Sequence, residues 1–178
     1  DAVIKEVKDS SNESIKKSYT TSLTFKMNVF TIYDKLYEKA IEKAGISPKD
    51  IGLVIVSTVT SDFVTPSIAS LLQYELGIEN AAAFDLNAAC SGFVFSLDTA
   101  RRFLETDDNM KYALVISTEA ISRICDFEDR GSCILFGDGA AAAVIEKSDS
   151  LYSSFLNSDG SGARKLYARN CTPAPMVK

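Results

Sequence analysis

There is no histidine anywhere in these 178 residues. Ser-His-Asp hydrolysis, Cys-His proteolysis, His-ligated zinc and imidazole acid–base catalysis therefore cannot be completed from this polypeptide's own side chains. Tryptophan is absent as well. Cysteine is sparse, and Cys90, Cys125, Cys133 and Cys171 form no CxxC pair and no zinc-ribbon spacing. They read as free thiols of a reducing compartment, with no metal or redox cofactor implied. Basic charge is in deficit: 19 Lys+Arg stand against 24 Asp+Glu, a net charge of -5. No basic stripe interleaved with aromatics is present, which argues against a nucleic-acid partner. Long apolar runs are lacking too, and the opening Asp1-Ala2-Val3-Ile4-Lys5-Glu6-Val7-Lys8 has no signal core. A cytoplasmic protein with no membrane partner is the expectation.

What is there is ordinary for a globular chain: 46% hydrophobic and 24% charged residues. The length suits one domain, or one half of a larger two-part domain. From Asp1 to about Thr24 the sequence is polar and Ser/Lys-rich, which predicts a loop or extension. Val29, Ile32, Tyr33, Leu36, Tyr37, Ala40, Ile41 and Ala44 then follow helical spacing and stop at Gly45. Ile51 to Thr58 is β-branched and apolar on both faces, as a strand covered on both sides would be. Pro66 opens a second helix closed by Gly77. Ala81 to Asn87 predicts a second buried strand, and a third helix begins near Cys90 and ends in the charged turn Glu105-Thr106-Asp107-Asp108. Lys111 to Thr118 is another buried strand. A glycine-punctuated turn, Phe136-Gly137-Asp138-Gly139, leads into a last strand ending at Glu146. The alternation predicts an α/β protein, mainly parallel, with right-handed crossovers.

One stretch carries the chemistry. In Asp85-Leu86-Asn87-Ala88-Ala89-Cys90-Ser91-Gly92-Phe93 a strand gives way to a helix through small residues, with Cys90 at the helix start. Free N–H groups and the helix dipole favour a thiolate at such a point. The small neighbours leave room for a substrate, as in the strand-turn-helix elbows that present nucleophiles. A nucleophilic thiolate suits acyl transfer. The residues themselves also allow a plain reading, in which Cys90 is a small buried hydrophobe.

That stretch, followed by Asp129-Arg130-Gly131 and then Phe136-Gly137-Asp138-Gly139-Ala140-Ala141, resembles the β-ketoacyl-acyl-carrier-protein synthase III family of the thiolase superfamily. The resemblance runs from about Gly45 to Glu146 and includes Thr65-Pro66-Ser67. It implies a thiolase-like, layered α-β-α fold with a mainly parallel mixed sheet, of which this chain is the N-terminal half. On that reading residues 1–24 are an unmatched extension, residues 25–178 are the half, and the C-terminal half is absent. The resemblance further implies that Cys90 is the catalytic nucleophile and takes a short acyl group, acetyl first among them, from acyl-CoA. The thioester then condenses with malonyl-acyl-carrier-protein. Arg130 and Gly131 match the segment at the CoA entrance, Thr65 sits where a side chain reaches into the partner subunit's acyl pocket, and a homodimer is implied. Asp138 is read as scaffold that caps neighbouring N–H groups.

The sequence also departs from that pattern. The family's condensation step uses a histidine and an asparagine from its C-terminal half, and the family's Trp- and Arg-bearing segment near the CoA adenine has no match in residues 1–24. An isolated half is expected to expose the apolar helix that begins at Cys90 and to be unstable or aggregated. Two alternatives stay open: a synthase III-like acyltransferase of polyketide or other secondary metabolism, and a catalytically incomplete half-chain acting as a binding or assembly module.

Overall fold

The computed structural model describes residues 36–148 and 151–168. The expected polar extension, the first part of the first helix and Cys171 lie outside the described residues. Within them α1 spans Leu36–Ala44, β1 Ile51–Ser57, α2 Ile68–Glu75 and β2 Ala82–Leu86. α3 follows over Gly92–Thr106, then β3 over Tyr112–Glu119 and β4 over Gly139–Glu146.

The two β-branched runs form the centre of the sheet because they can be covered on both faces. β1 pairs in parallel with β3, Val54 opposite Leu114 and Val56 opposite Ile116. β2 adds in parallel to the other side of β1, and β4 closes antiparallel on β3, giving the order β2-β1-β3-β4. Strand alternation then sorts the core into two layers. Val54, Val56, Leu114 and Ile116 face Tyr37 and Ile41 of α1 and Ile68, Ala69 and Leu72 of α2. Leu53, Ile55, Ala113 and Val115 face Ala100 and Leu104 of α3. The result is the layered α-β-α arrangement, with each of the large fully buried side chains contributing about 1.5–3 kcal/mol.

Local signals terminate the elements where expected. Gly45 and Gly77 end α1 and α2 with φ of +67° and +63°, a conformation that penalises a side chain. Three expectations need correction. Among the described residues β2 is an edge strand and only half-buried, a difference that apolar composition alone does not reveal. α2 begins after Pro66, since the Ser67 side chain accepts from the Ser70 N–H and takes the N-cap position. α3 begins at Gly92, two residues past Cys90.

Residues 151–160 are held on α3 by a buried carboxylate. Asp98, 1% exposed, accepts from Ser154 Oγ at 2.5 Å, Arg102 Nε at 2.7 Å and Arg101 Nε at 3.3 Å. Arg101 also lies 4.9 Å from the Tyr152 ring centroid. The Ser154 hydrogen bond, then that of Arg102, lowers the Asp98 pKa to about 2 despite burial. A carboxylate depressed in the folded state contributes stability above its unfolded value, and that contribution is lost as pH falls from about 4 towards 2. Urea titrations across this range should show the loss in the native protein. Asp98→Asn should be less stable at neutral pH and flatter in acid; an unchanged acid slope would refute the assignment.

Candidate active site

Cys90 lies in a single 3-10 turn, Ala89–Ser91, between the end of β2 and the start of α3. Ala89 has φ of +45°, which is uncommon for a residue with a Cβ. That conformation turns the chain sharply between the end of β2 and Cys90. Cys90 is exposed, which overturns the plain reading of a buried hydrophobe. Ser91 makes no side-chain capping bond to the helix, so the first-turn N–H groups keep their capacity for an anion.

The turn is set close against the sheet by Gly92. Its dihedrals are helical, so the glycine is needed for space: a Cβ there would stand 1.8 Å from Ser57 Oγ and 3.0 Å from Ser57 Cβ at the end of β1. Beside the turn opens a cleft of about 640 Å³, lined by Asn87, Ala88, Ser91 and Phe95, with Asn157 and Asp159 across it. Cys90 does not line this cleft.

Asp85 acts at a distance. Its two carboxylate oxygens accept the N–H groups of Ile68 at 2.8 Å and Ala69 at 2.9 Å, joining the end of β2 to the N-terminus of α2. Asp85→Ala should cost about 1–2 kcal/mol, the range for a lost helix cap, in chemical denaturation of the folded protein. An effect below a few tenths would mean the cap is dispensable. Thr65 stands exposed just before this cap, in the segment Phe63-Val64-Thr65-Pro66, where Val64 is 98% exposed and the Thr65–Pro66 peptide is cis.

Arg130 and Gly131 lie on an exposed turn. Asp129 closes that turn by accepting Gly131 N–H at 2.9 Å and Ser132 Oγ at 2.7 Å, and these bonds lower its pKa. Arg130 forms no ion pair among the described residues, so the neighbouring carboxylates do not hold its guanidinium. Asp138 accepts both the N–H and the hydroxyl of Ser122, at 2.7 and 2.6 Å, the capping role expected of it. Cys125 is half-buried, and burial raises its thiol pKa. No group of three metal-ligating side chains forms among the described residues, and no helix there is long and apolar enough to cross a membrane.

With this geometry in view, residues 84–160 match the family described as 3-oxoacyl-[acyl-carrier-protein (ACP)] synthase III. The β-ketoacyl-[acyl-carrier-protein] synthase III of Clostridium acetobutylicum is 48% identical over 131 residues, 72% of this chain and 40% of that protein. Over these residues the chain matches the synthase III family in sequence and in fold. The synthase III of Helicobacter hepaticus is 46% identical over 144 residues. The solved 3-oxoacyl-[acyl-carrier-protein] synthase III of Aquifex aeolicus is 37% identical, with a TM-score of 0.66 over 71% of this chain and 41% of its own. The priming β-ketosynthase of the R1128 polyketide pathway is 42% identical, with a TM-score of 0.61 over 64% of this chain and 34% of its own. The chain spans about two fifths of the length of the curated synthase III relatives it matches. Cys90, Arg130 and Gly131 fall within the matched family region and Thr65 outside it.

Proposed function

We propose that this chain carries the acyl-loading part of a condensing acyltransferase that starts fatty-acid synthesis. The observation that carries the reading is Cys90 itself, exposed on the short turn between the end of β2 and the start of α3 that the positive-φ residue Ala89 opens. Its thiolate sulfur attacks the carbonyl carbon of a short acyl-CoA, acetyl in the first instance. The C–S bond to CoA breaks, and CoA leaves as a thiol once protonated. The enolate carbon left by decarboxylation of malonyl-acyl-carrier-protein then attacks the Cys90 thioester, giving a 3-oxoacyl-carrier-protein and returning the thiol. No cofactor enters these steps, and acyl-CoA is a substrate.

In this reading Arg130 and Gly131 meet the nucleotide of CoA at the entrance, and a guanidinium without an ion pair among the described residues supports that role for Arg130. Thr65 borders the acyl pocket of a partner subunit, in keeping with the exposure of residues 63–66. The open edge of β2 suits a homodimer. Residues 25–178 form the N-terminal half of the family's domain, acting in the cytoplasm, and the decarboxylative step draws on a histidine and an asparagine of the C-terminal half. Incubating the full protein with acetyl-CoA and malonyl-acyl-carrier-protein should yield acetoacetyl-carrier-protein. Acyl transfer to another nucleophile without condensation would favour the second reading, a priming enzyme of secondary metabolism, which the 42% identity to a polyketide priming ketosynthase supports.

A further inference from the structure

The segment 63–66 projects into solvent, yet its base is tied down by a polar network that the loading chemistry does not use. Glu119, the last residue of β3, spends both carboxylate oxygens on the loop that leaves β1. Val59 N–H donates to one at 2.9 Å and the Thr60 hydroxyl to the other at 2.6 Å. The same hydroxyl accepts the Ala120 N–H at 2.8 Å, so Thr60, only 5% exposed, is locked between two strand ends. Arg123 adds a second tie, donating to the Thr60 carbonyl at 3.0 Å and to Asp62 at 2.5 Å. Ser61 continues the order outward, its hydroxyl donating to the Phe63 carbonyl at 2.7 Å. On the far side of the projection Asp85 anchors Ile68 and Ala69. The projecting residues are thus held at both bases by carboxylates from neighbouring strands.

These ties also reach the 3-10 turn that follows β3. Arg123 ends the 3-10 turn Ile121–Arg123 that follows β3, and Asp138 fixes Ser122 within it. The chain then runs through Asp126 and Asp129 to Arg130.

From this juxtaposition we infer that Glu119 is a positioning residue for acyl-chain selection, setting the pose of residues 63–66 through Thr60. The inference rests on the acyl-transfer reading above, because it needs residues 63–66 to border an acyl pocket. Its logic is that a half-buried carboxylate satisfied by one loop N–H and one hydroxyl has few alternative arrangements, so the loop it holds has few as well. Removing the charge while keeping the size loosens the loop without emptying space in the core.

The test compares acylation of Cys90 by acetyl-CoA and hexanoyl-CoA in the full protein, as the ratio of their kcat/KM values. Glu119→Gln is expected to change that ratio at least fivefold, and Thr60→Val to change it in the same direction. The double variant should go no further than the stronger single one, since both break one tie. A role confined to folding would lower both rates together and leave the ratio where it was. Should Glu119→Gln fail to fold, Thr60→Val carries the same comparison. A ratio within twofold of the native value in a folded variant overturns the inference and leaves the loading reading standing. Failure of the native protein to load Cys90 from either substrate removes the loading reading itself, and this inference with it.

Discussion

Cys90→Ser is expected to lower acyl-CoA-dependent condensation by about 1,000-fold or more while leaving the fold unchanged. A serine hydroxyl stays protonated near neutral pH and needs a general base to become a nucleophile. A thiol, by contrast, is intrinsically more acidic than a hydroxyl, and its thiolate is a strong nucleophile without a partner base. Because Cys90 is exposed, exchanging sulfur for oxygen disturbs no packed core, and unfolding free energy should stay within about 0.5 kcal/mol of the native value. Steady-state rates and urea titrations of the same preparations check both halves. A serine variant retaining a tenth of the native rate would mean that another residue carries the acyl group.

Gly92→Ala should damage stability and loading together. The added Cβ meets Ser57 Oγ at 1.8 Å. Rotating that hydroxyl relieves the first contact but leaves the Ser57 Cβ at 3.0 Å, and Ser57 is buried at the end of β1 with nowhere to retreat. The first turn of α3 must therefore move away from the sheet. Overpacking of this kind costs about 1–3 kcal/mol, and the displacement is passed directly to Cys90, two residues upstream. Combining Gly92→Ala with Ser57→Ala removes the closer contact and should restore part of both losses. If the single variant melts at the native temperature and loads at the native rate, Gly92 is not what seats the turn.

Much of this arrangement is legible in residue types. The paired β-branched runs that form β1 and β3 are apolar on both faces because both faces are covered. Gly45 and Gly77 mark helix ends because each adopts a left-handed backbone. The cysteine between a strand and a helix, among small neighbours, stands out as a candidate nucleophile from residue order alone. Other features have no local signal. Alanine carries no hint of positive φ, so the turn at Ala89 cannot be read from composition. Asp85 caps a helix whose N-terminus is 16 to 17 residues earlier, and Glu119 binds a loop 59 to 60 residues earlier. Those partners are brought together by strand order, which periodicity within a segment does not encode. The need for glycine at position 92 arises in the same way, from a serine on a different strand.

The most direct measurement is the intact mass of the full protein before and after incubation with acetyl-CoA, alongside Cys90→Ser. The account predicts one added acetyl group, about 42 Da by the chemistry of thioester formation, mapped to the peptide containing Cys90 and missing from the variant. An adduct that persists in Cys90→Ser, or native protein whose mass does not change while the fold is intact, would contradict it.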